Sequence, residues 1–538
     1  MSGLDPARRR LIEAALNRRD IAAAAELAEQ ALTDGARDPL VLNLAAWRRE
    51  EHGDLAGAHA LLLEALGLSP GDPLILGAIG AVLRKQGLLS EALRTLDQAI
   101  AVAPQNASFW LEKAMALDAG GSLSPALDSY QRAARLDPRS ASAFGGGASI
   151  AARLGKAEVA VDLGEKALAI DPLQPMASAA LARIALEQQD PAAALRRLKP
   201  LLSSTTTGTD NQSTIWSLAG DAFERLNRIE EAFSAYVRAN AEAEHRFDRL
   251  LAATEERPDH RALAERLLRE FDDVNPTVWA GGSEGEPGHR SPTFLIGYPR
   301  SGTTLVENIL ASNTGVDALE ERPTLAAGDS YLKKPGGIAE LAALDRAGVA
   351  AIRDGYWRAV AAAGSRSDAE LLVDMDPLKG LKLPLIGRVF PAARIIVMRR
   401  DPRDVVWSCF RANFAPSPAA LEFTDLERAA HHYAAVMAAQ DRFLQLLPLN
   451  TLEVRYEELV EDFDSATKAL CAFLEVPWTP ALRDFAGTAA HRNVSTLSVT
   501  QVRRGLYDGS RQWRRYERWL EPILPILQPW IERYGYPA

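Results

Sequence analysis

Four glycines spaced 34 residues apart, Gly53, Gly87, Gly121 and Gly155, most constrain what this chain can fold into. Each is followed five residues later by an alanine (Ala58, Ala92, Ala126, Ala160) and seven after that by a second (Ala65, Ala99, Ala133, Ala167). A proline then closes each unit, at Pro70, Pro104, Pro138 and Pro172, and a small residue precedes each glycine, at Ala46, Gly80, Ala114 and Ala148. A period of this length, marked by small residues, describes one supersecondary unit stacked on copies of itself. Small residues let two helices approach closely, glycine supplies the turn between them and proline stops the second. Residues 39–172 are therefore predicted as helical hairpins. Weaker units keep Ala24 and Ala31 in register before this block, and Ala182 and Ala194 after it. Beyond an insertion around SSTTTGTDNQ the pattern resumes with Trp216, Gly220, Asn227, Ala232 and Ala239, giving about seven units.

The pattern resembles the tetratricopeptide repeat (TPR). The resemblance implies an N-terminal all-α TPR solenoid over residues 1–243, whose groove would bind a peptide or protein; a scaffold or homodimer role stays open. A helix is expected at about 259–271, and residues 244–291 read as a helical linker that ends in a glycine-rich loop at 281–292. That loop is the expected domain boundary.

The remainder, 292–538, is organised around TFLIGYPRSGTT at 293–304. Residues 293–296 read as a buried strand, GYPRSG as a loop, and Thr303 as the start of an amphipathic helix. Backbone N–H groups and the helix dipole make such a loop an anion cradle. Its spacing is that of a Walker loop, but Thr303 stands where the lysine should be. A nucleotide triphosphatase needs that lysine on its phosphates. Here the cation is Arg300, within the loop, so a phosphate-bearing donor other than ATP is expected.

Composition narrows the partners. A net charge of −10 over 538 residues argues against a general nucleic-acid binder. No run of 18 apolar residues occurs and the first residues lack an apolar signal core, so no membrane span and a cytoplasmic location are expected. The two cysteines, Cys409 and Cys471, lie in helix-like apolar stretches and read as reduced core residues. No Cys/His ligand spacing appears, so no metal is expected.

P-R-S-G-T-T-L resembles the phosphosulfate-binding loop of sulfotransferases that use PAPS (3′-phosphoadenosine 5′-phosphosulfate). The form is that of tyrosylprotein sulfotransferases and of bacterial sulfotransferase domains fused to TPR repeats. The resemblance implies an α/β domain with a central parallel sheet, the P-loop-like sulfotransferase fold. It also implies PAPS as co-substrate, held by Gly297, Pro299, Arg300, Ser301, Gly302, Thr303 and Thr304. In this family a catalytic Glu follows the loop Arg by 21 residues; here that is Glu321. A carboxylate at the mouth of the loop can take the proton of an acceptor hydroxyl.

A second strand, 393–398, runs into RRDPRDVVWS, where Asp401 and Pro402 can open a helix. By resemblance, Arg400 and Ser408 bind the 3′-phosphate that separates PAPS from ATP. Residues 451–455 read as a third strand, followed by Tyr456, which the resemblance places against the nucleotide. A run at 495–504 resembles a flap, with Ser498 at the bridging oxygen as a catalytic residue and Arg504 at the 3′-phosphate; Trp513 would pack the following segment onto the core. One departure stands out: Met375 occupies the position of a family lysine that neutralises the leaving phosphate. A weak enzyme, a different acceptor, or replacement by Lys379 or Lys382 are the open readings. Peptide tyrosine, saccharide and small phenol are the candidate acceptors. The alternatives are a nucleotide-binding TPR adaptor with little or no turnover, and a kinase, whose loop lysine and magnesium aspartate are missing here.

Overall fold

The structure is a computed structural model that describes residues 4–203, 211–251, 259–280, 291–366, 369–492, 502–503 and 505–537. The chain divides into two compact units, Met1–Thr205 and Thr206–Ala538.

Among the described residues, the first unit contains twelve helices in six consecutive pairs, from Pro6–Asn17 to Pro191–Leu202. Their starts are written in the sequence: Asp5, Asp38 and Asp72 each cap a helix through a side-chain oxygen, and a proline follows at the first helical position. Gly53, Gly87, Gly121 and Gly155 take φ between +73° and +82°, the left-handed conformation that ends the first helix of each pair. Arg19, Gln189 and Asn227 adopt the same conformation at the equivalent turns. The turn thus persists where the glycine signal disappears. Ala24, Ala58, Ala92, Ala126, Ala160 and Ala194 are completely buried at one recurring contact between helices. A Cβ on Gly80 would meet the Leu96 side chain at 2.5 Å, which is why that position stays small.

The second unit opens with a seventh helical pair, α1 (Gln212–Arg225) and α2 (Ile229–Leu251), followed by α3 (His260–Asp272). Among the described residues five parallel strands follow: β1 (Thr293–Ile296), β2 (Val316–Glu320), β3 (Leu371–Met375), β4 (Arg394–Arg399) and β5 (Asn450–Arg455). Their spatial order is β2-β3-β1-β4-β5. Side chains alternate across this sheet. Phe294, Ile296, Ile395 and Val397 face one core, whereas Leu295, Val373, Met375, Ile396 and Met398 face the other. Burying each such side chain contributes about 1.5–3 kcal/mol. Helices cover both faces, as all-parallel sheets require. Those relevant here are α4 (Thr303–Ala311), α5 (Pro402–Arg411) and α6 (Leu426–Leu446). Among the described residues no helix is long and apolar enough to cross a membrane.

The compact division falls at Thr205–Thr206 rather than at the loop expected to separate the domains, of which 281–290 lie outside the described residues. The physical reason is the packing of α1 and α2. Phe233 stacks on Trp519 at 4.4 Å, Tyr236 meets Trp407 edge-on at 5.8 Å, and Asn240 donates to the Phe410 carbonyl at 2.8 Å. The last repeat is therefore built into the α/β unit. Trp513 is buried in the same core, as the sequence suggested.

Candidate active site

The C-terminal ends of the five parallel strands lie along one edge of the sheet, where open α/β sheets bind ligands. The ladder continues past the strands: Asp376 N–H donates to the Leu295 carbonyl at 3.2 Å, Gly297 N–H to that of Pro377 at 3.1 Å, and Glu321 N–H to that of Met375 at 2.7 Å. These bonds fix the segments that carry Glu321, Asp376 and the 297–302 loop.

The loop after β1 is tightly constrained. Ser301 N–H donates to the Tyr298 carbonyl at 3.0 Å. Gly302 sits at φ +108°, and a Cβ there would lie 2.9 Å from the Tyr456 ring. Arg300 is also left-handed, at φ +69°, as is Glu321 at φ +43°. Non-glycine residues in this region store strain of about 1–3 kcal/mol each. Helix α4 begins at Thr303, so its first N–H groups and the positive end of its dipole lie at the loop.

Arg300 Nε donates to Ser408 Oγ, on α5, at 3.0 Å. Burial, together with the like charges of Arg411 and Arg400, pulls the Arg300 guanidinium down to about 10. It remains a cation at neutral pH. Of the two adjacent arginines that end β4, Arg399 is structural: buried, it pairs with Asp441 at 2.7 Å and Glu453 at 2.8 Å. Arg400 turns to the site. It donates to the Arg300 carbonyl at 2.8 Å and the Gly509 carbonyl at 2.6 Å, and lies over the Tyr456 ring at 4.5 Å. Its buried Nε has no hydrogen-bond partner among the described residues. Tyr456 in turn donates to the Tyr507 carbonyl at 2.6 Å and accepts from Gly509 N–H at 3.2 Å. Asp401 caps α5, with Pro402 at its first position.

Glu321 stands just beyond β2. Burial pushes its carboxyl up to about 7, aided by Asp376, Glu320 and Glu307 and opposed by Lys379. Glu307, wholly buried on α4, is also held at about 7 by burial, although Arg492 pairs with it at 2.8 Å. A carboxylate that titrates near neutrality can accept a proton at physiological pH.

Met375 is completely buried in the core, and its side chain takes no part in the site. Lys379 is 1% exposed and forms a buried ion pair with Asp374, which also accepts from Thr324 Oγ1 at 2.6 Å. Lys382 pairs with Asp329 at 2.6 Å. Both candidate replacement lysines are thus engaged with carboxylates. Ser498 and Arg504 lie outside the described residues. Cys409 and Cys471 are buried free thiols. Sequence reading missed Asp376, Arg411 and Gly509. An acid immediately before Pro377 at a strand end was the available signal for Asp376; Arg411 and Gly509 have no local signature.

A parallel sheet with a strained, glycine-bounded loop at a helix N-terminus, and arginines beyond adjacent strands, defines an α/β protein whose site has the chemistry to hold an anion. Residues 292–480 match the family described as the Sulfotransferase family, and 78–141, 124–175 and 179–243 match the tetratricopeptide repeat. The chain joins a sulfotransferase-family domain to tetratricopeptide repeats. An uncharacterized protein of Aquifex aeolicus is 28% identical over 361 residues, covering 63% of this chain and 45% of that one. The chain thus spans under half of that relative. Protein-tyrosine sulfotransferase 1 of Danio rerio is 29% identical over 270 residues, 45% of this chain and 71% of that protein. Among solved structures, a thermophilic TPR protein of Thermus thermophilus is 21% identical, covering 36% of this chain and all but 1% of its own (99%), with a TM-score of 0.29.

Proposed function

We propose that this protein transfers the sulfuryl group of PAPS to an acceptor hydroxyl. The observation that carries the reading is the linkage of Arg300, in the loop after β1, to Ser408 on α5 and to Arg400 beyond β4, with Glu321 following β2 of the same parallel sheet. The donor fits the residues present: two arginines, one with an orphaned buried Nε, and a helix N-terminus suit a ligand with two phosphate groups. PAPS, when bound, supplies the sulfuryl group and leaves as 3′-phosphoadenosine 5′-phosphate (PAP). Arg300 and the loop amides hold the 5′ end and offset the charge that builds there. Arg400 and Ser408 hold the 3′-phosphate beside Tyr456; Ser498 and Arg504, outside the described residues, are assigned to the nucleotide by the family resemblance alone. Glu321 takes the acceptor proton. The tyrosylprotein-type spacing of Glu321 and the relative in Danio rerio favour a peptide tyrosine as acceptor, presented by a partner of the repeats.

Calorimetric titration of the full chain with PAP, ATP and adenosine 5′-phosphosulfate tests the donor. Micromolar binding that requires the 3′-phosphate is expected; equal binding of ATP would refute the assignment.

A second reading, a nucleotide-binding adaptor without turnover, is favoured by Met375 in the core and by the pairing of Lys379 and Lys382. Transfer of labelled sulfate to any acceptor eliminates it.

A further inference from the structure

The loop residue Tyr298 has no role in the reading above, yet it is one of the most enclosed side chains in the unit, 2% exposed. Its hydroxyl lies 2.6 Å from Nδ1 of His432, which α6 carries and which is itself completely buried. The other ring nitrogen of His432, Nε2, lies 2.8 Å from Nδ1 of His260, the first residue of α3. A chain of two hydrogen bonds thus runs from the 297–302 loop, through one histidine, to a second on a different helix.

The donor and acceptor count gives the chain a direction. Burial keeps both imidazoles neutral, pulling His432 well below its ordinary value and His260 down to about 4. A neutral imidazole has one donor and one acceptor nitrogen. Phe423, Tyr433 and the Cys409 thiol pack around Tyr298 and Glu422 acts on it electrostatically, but the hydrogen-bond partner of its hydroxyl is Nδ1 of His432, to which the O–H donates. His432 must then carry its proton on Nε2 and donate to Nδ1 of His260. His260 in turn carries its proton on Nε2. The opposite ordering would leave the Tyr298 proton with no acceptor in the chain. The charged groups facing His260 are Asp259, which caps α3, Glu422, which accepts from the Arg261 N–H at 3.4 Å, and Asp376 at the end of β3. Asp376 is also the strongest of the charges acting on Glu321, so the far end of the chain and the proposed base share a neighbour.

We propose that His432 and His260 are positioning residues: through this one-way hydrogen-bond chain they hold the Tyr298 hydroxyl, and with it the anion-binding shape of the loop. The inference rests on the reading of that loop as the donor site. The chain orders the loop before the ligand arrives, which lowers the cost of binding rather than the barrier to transfer. Removing a link therefore raises the KM for the donor and leaves kcat at saturating donor within about threefold.

The test measures PAP affinity by calorimetry on the full chain and five variants. Tyr298→Phe and His432→Leu are each expected to weaken PAP binding about tenfold, the effect of losing one buried hydrogen bond and its ordering. The double variant should be no worse than the weaker single one, because the two residues act through one chain. His260→Leu should weaken binding similarly, whereas His260→Asn, whose amide oxygen can accept where Nδ1 does, should restore it to within about twofold of the parent. A parent that binds PAP with variants equal to it overturns the chain alone, as would additive losses. A parent that does not bind PAP removes the donor reading and the chain's role together. A second measurement needs neither ligand nor variant: ring ¹⁵N shifts of labelled histidines must show both residues neutral, with the protons on Nε2. A proton on Nδ1 of His432 overturns the proposal even where His432→Leu fails to fold.

Discussion

Arg300 Nε donates to Ser408 Oγ at 3.0 Å, tying the loop after β1 to the helix after β4. One bond therefore joins the parts assigned to the two ends of the donor. Ser408→Ala removes the acceptor and frees the guanidinium from its tether. A single hydrogen bond contributes about 0.5–1.5 kcal/mol, so PAP affinity should fall roughly two- to tenfold. Arg300→Ala removes the charge itself and should cost far more, while Arg300→Lys should not rescue it, because an ammonium cannot reproduce the guanidinium fork. Calorimetry on the three variants orders them; Ser408→Ala outweighing Arg300→Ala would contradict the geometry.

Glu321 titrates near 7 because it is buried beside Asp376. A base works when ionised, so kcat/KM should rise with pH through about 7 and level off above it. Asp376→Asn removes a negative neighbour, eases ionisation and should move that limb to lower pH. Glu321→Gln should lower kcat by about 10²–10⁴-fold with PAP affinity retained. The stability sign is opposite. A carboxyl raised from 4.5 to about 7 by folding contributes fully below 4.5, and its contribution is lost as pH rises through 7. Glu321→Gln should therefore melt higher than the parent at pH 8.

Lys379 and Asp374 form a buried pair, each at most 1% exposed. Breaking such a pair leaves an uncompensated charge and costs about 3–5 kcal/mol, so Lys379→Met should lower the denaturation midpoint sharply. Lys379→Met combined with Asp374→Leu should recover most of the loss. Were Lys379 instead the substitute for the missing family lysine, Lys379→Met would abolish turnover while leaving stability near the parent's.

How much of this was legible follows from where each signal resides. The 34-residue register, the strand at 293–296 and the Asp401–Pro402 helix start were readable because they depend on local rules: small residues at helix contacts, an apolar run before glycine, a cap before proline. β2 was not read as a strand, because VDALE, at the sheet edge, lacks a continuous apolar run; LLVDM of β3 is too short to stand out beside its flanking acids. Arg300 was singled out as the cation of the loop and Glu321 by the family resemblance, but their left-handed backbones and the elevated carboxyl come from the packed environment. The fate of Lys379 depended on Asp374, five residues away but on a strand, and the partnership of Tyr298 with His432 spans 134 positions. No local pattern encodes either.

His260 and His432 give a second pH signature. Folding lowers both from about 6.5, so the unfolded chain binds more protons between that value and the folded one. Their contribution to stability is full above 6.5 and is lost as pH falls toward 4. The elevated carboxyls of Glu307 and Glu321 act with the opposite sign, so the parent alone is uninformative. The difference between His260→Asn and the parent isolates the histidine: in paired thermal melts the variant should gain on the parent as pH drops from 6.5 toward 4. A difference independent of pH would mean that His260 is not buried in neutral form.

The seventh helical pair provides the sharpest test of where the α/β unit begins. The repeat match runs to residue 243, yet Phe233 and Tyr236 are packed among Trp407, Phe410 and Trp519. Glu224 on α1 pairs with Arg411 of α5 at 2.8 Å, and Arg411 is one of the charges acting on Arg300. A chain beginning at 206 keeps all of this and should unfold cooperatively with PAP affinity near that of the full chain. A chain beginning at 244 exposes the aromatic cluster and leaves the Arg411 charge without its partner, a loss of about 3–5 kcal/mol from the charge alone. It should aggregate or unfold without a cooperative transition. Glu224→Gln in the full chain separates the two causes, since it removes the ion pair but leaves the aromatic packing intact. It should destabilise the protein by less than the truncation does. If the chain beginning at 244 melted like the one beginning at 206, the last repeat would be an appendage and not part of the core of the α/β unit.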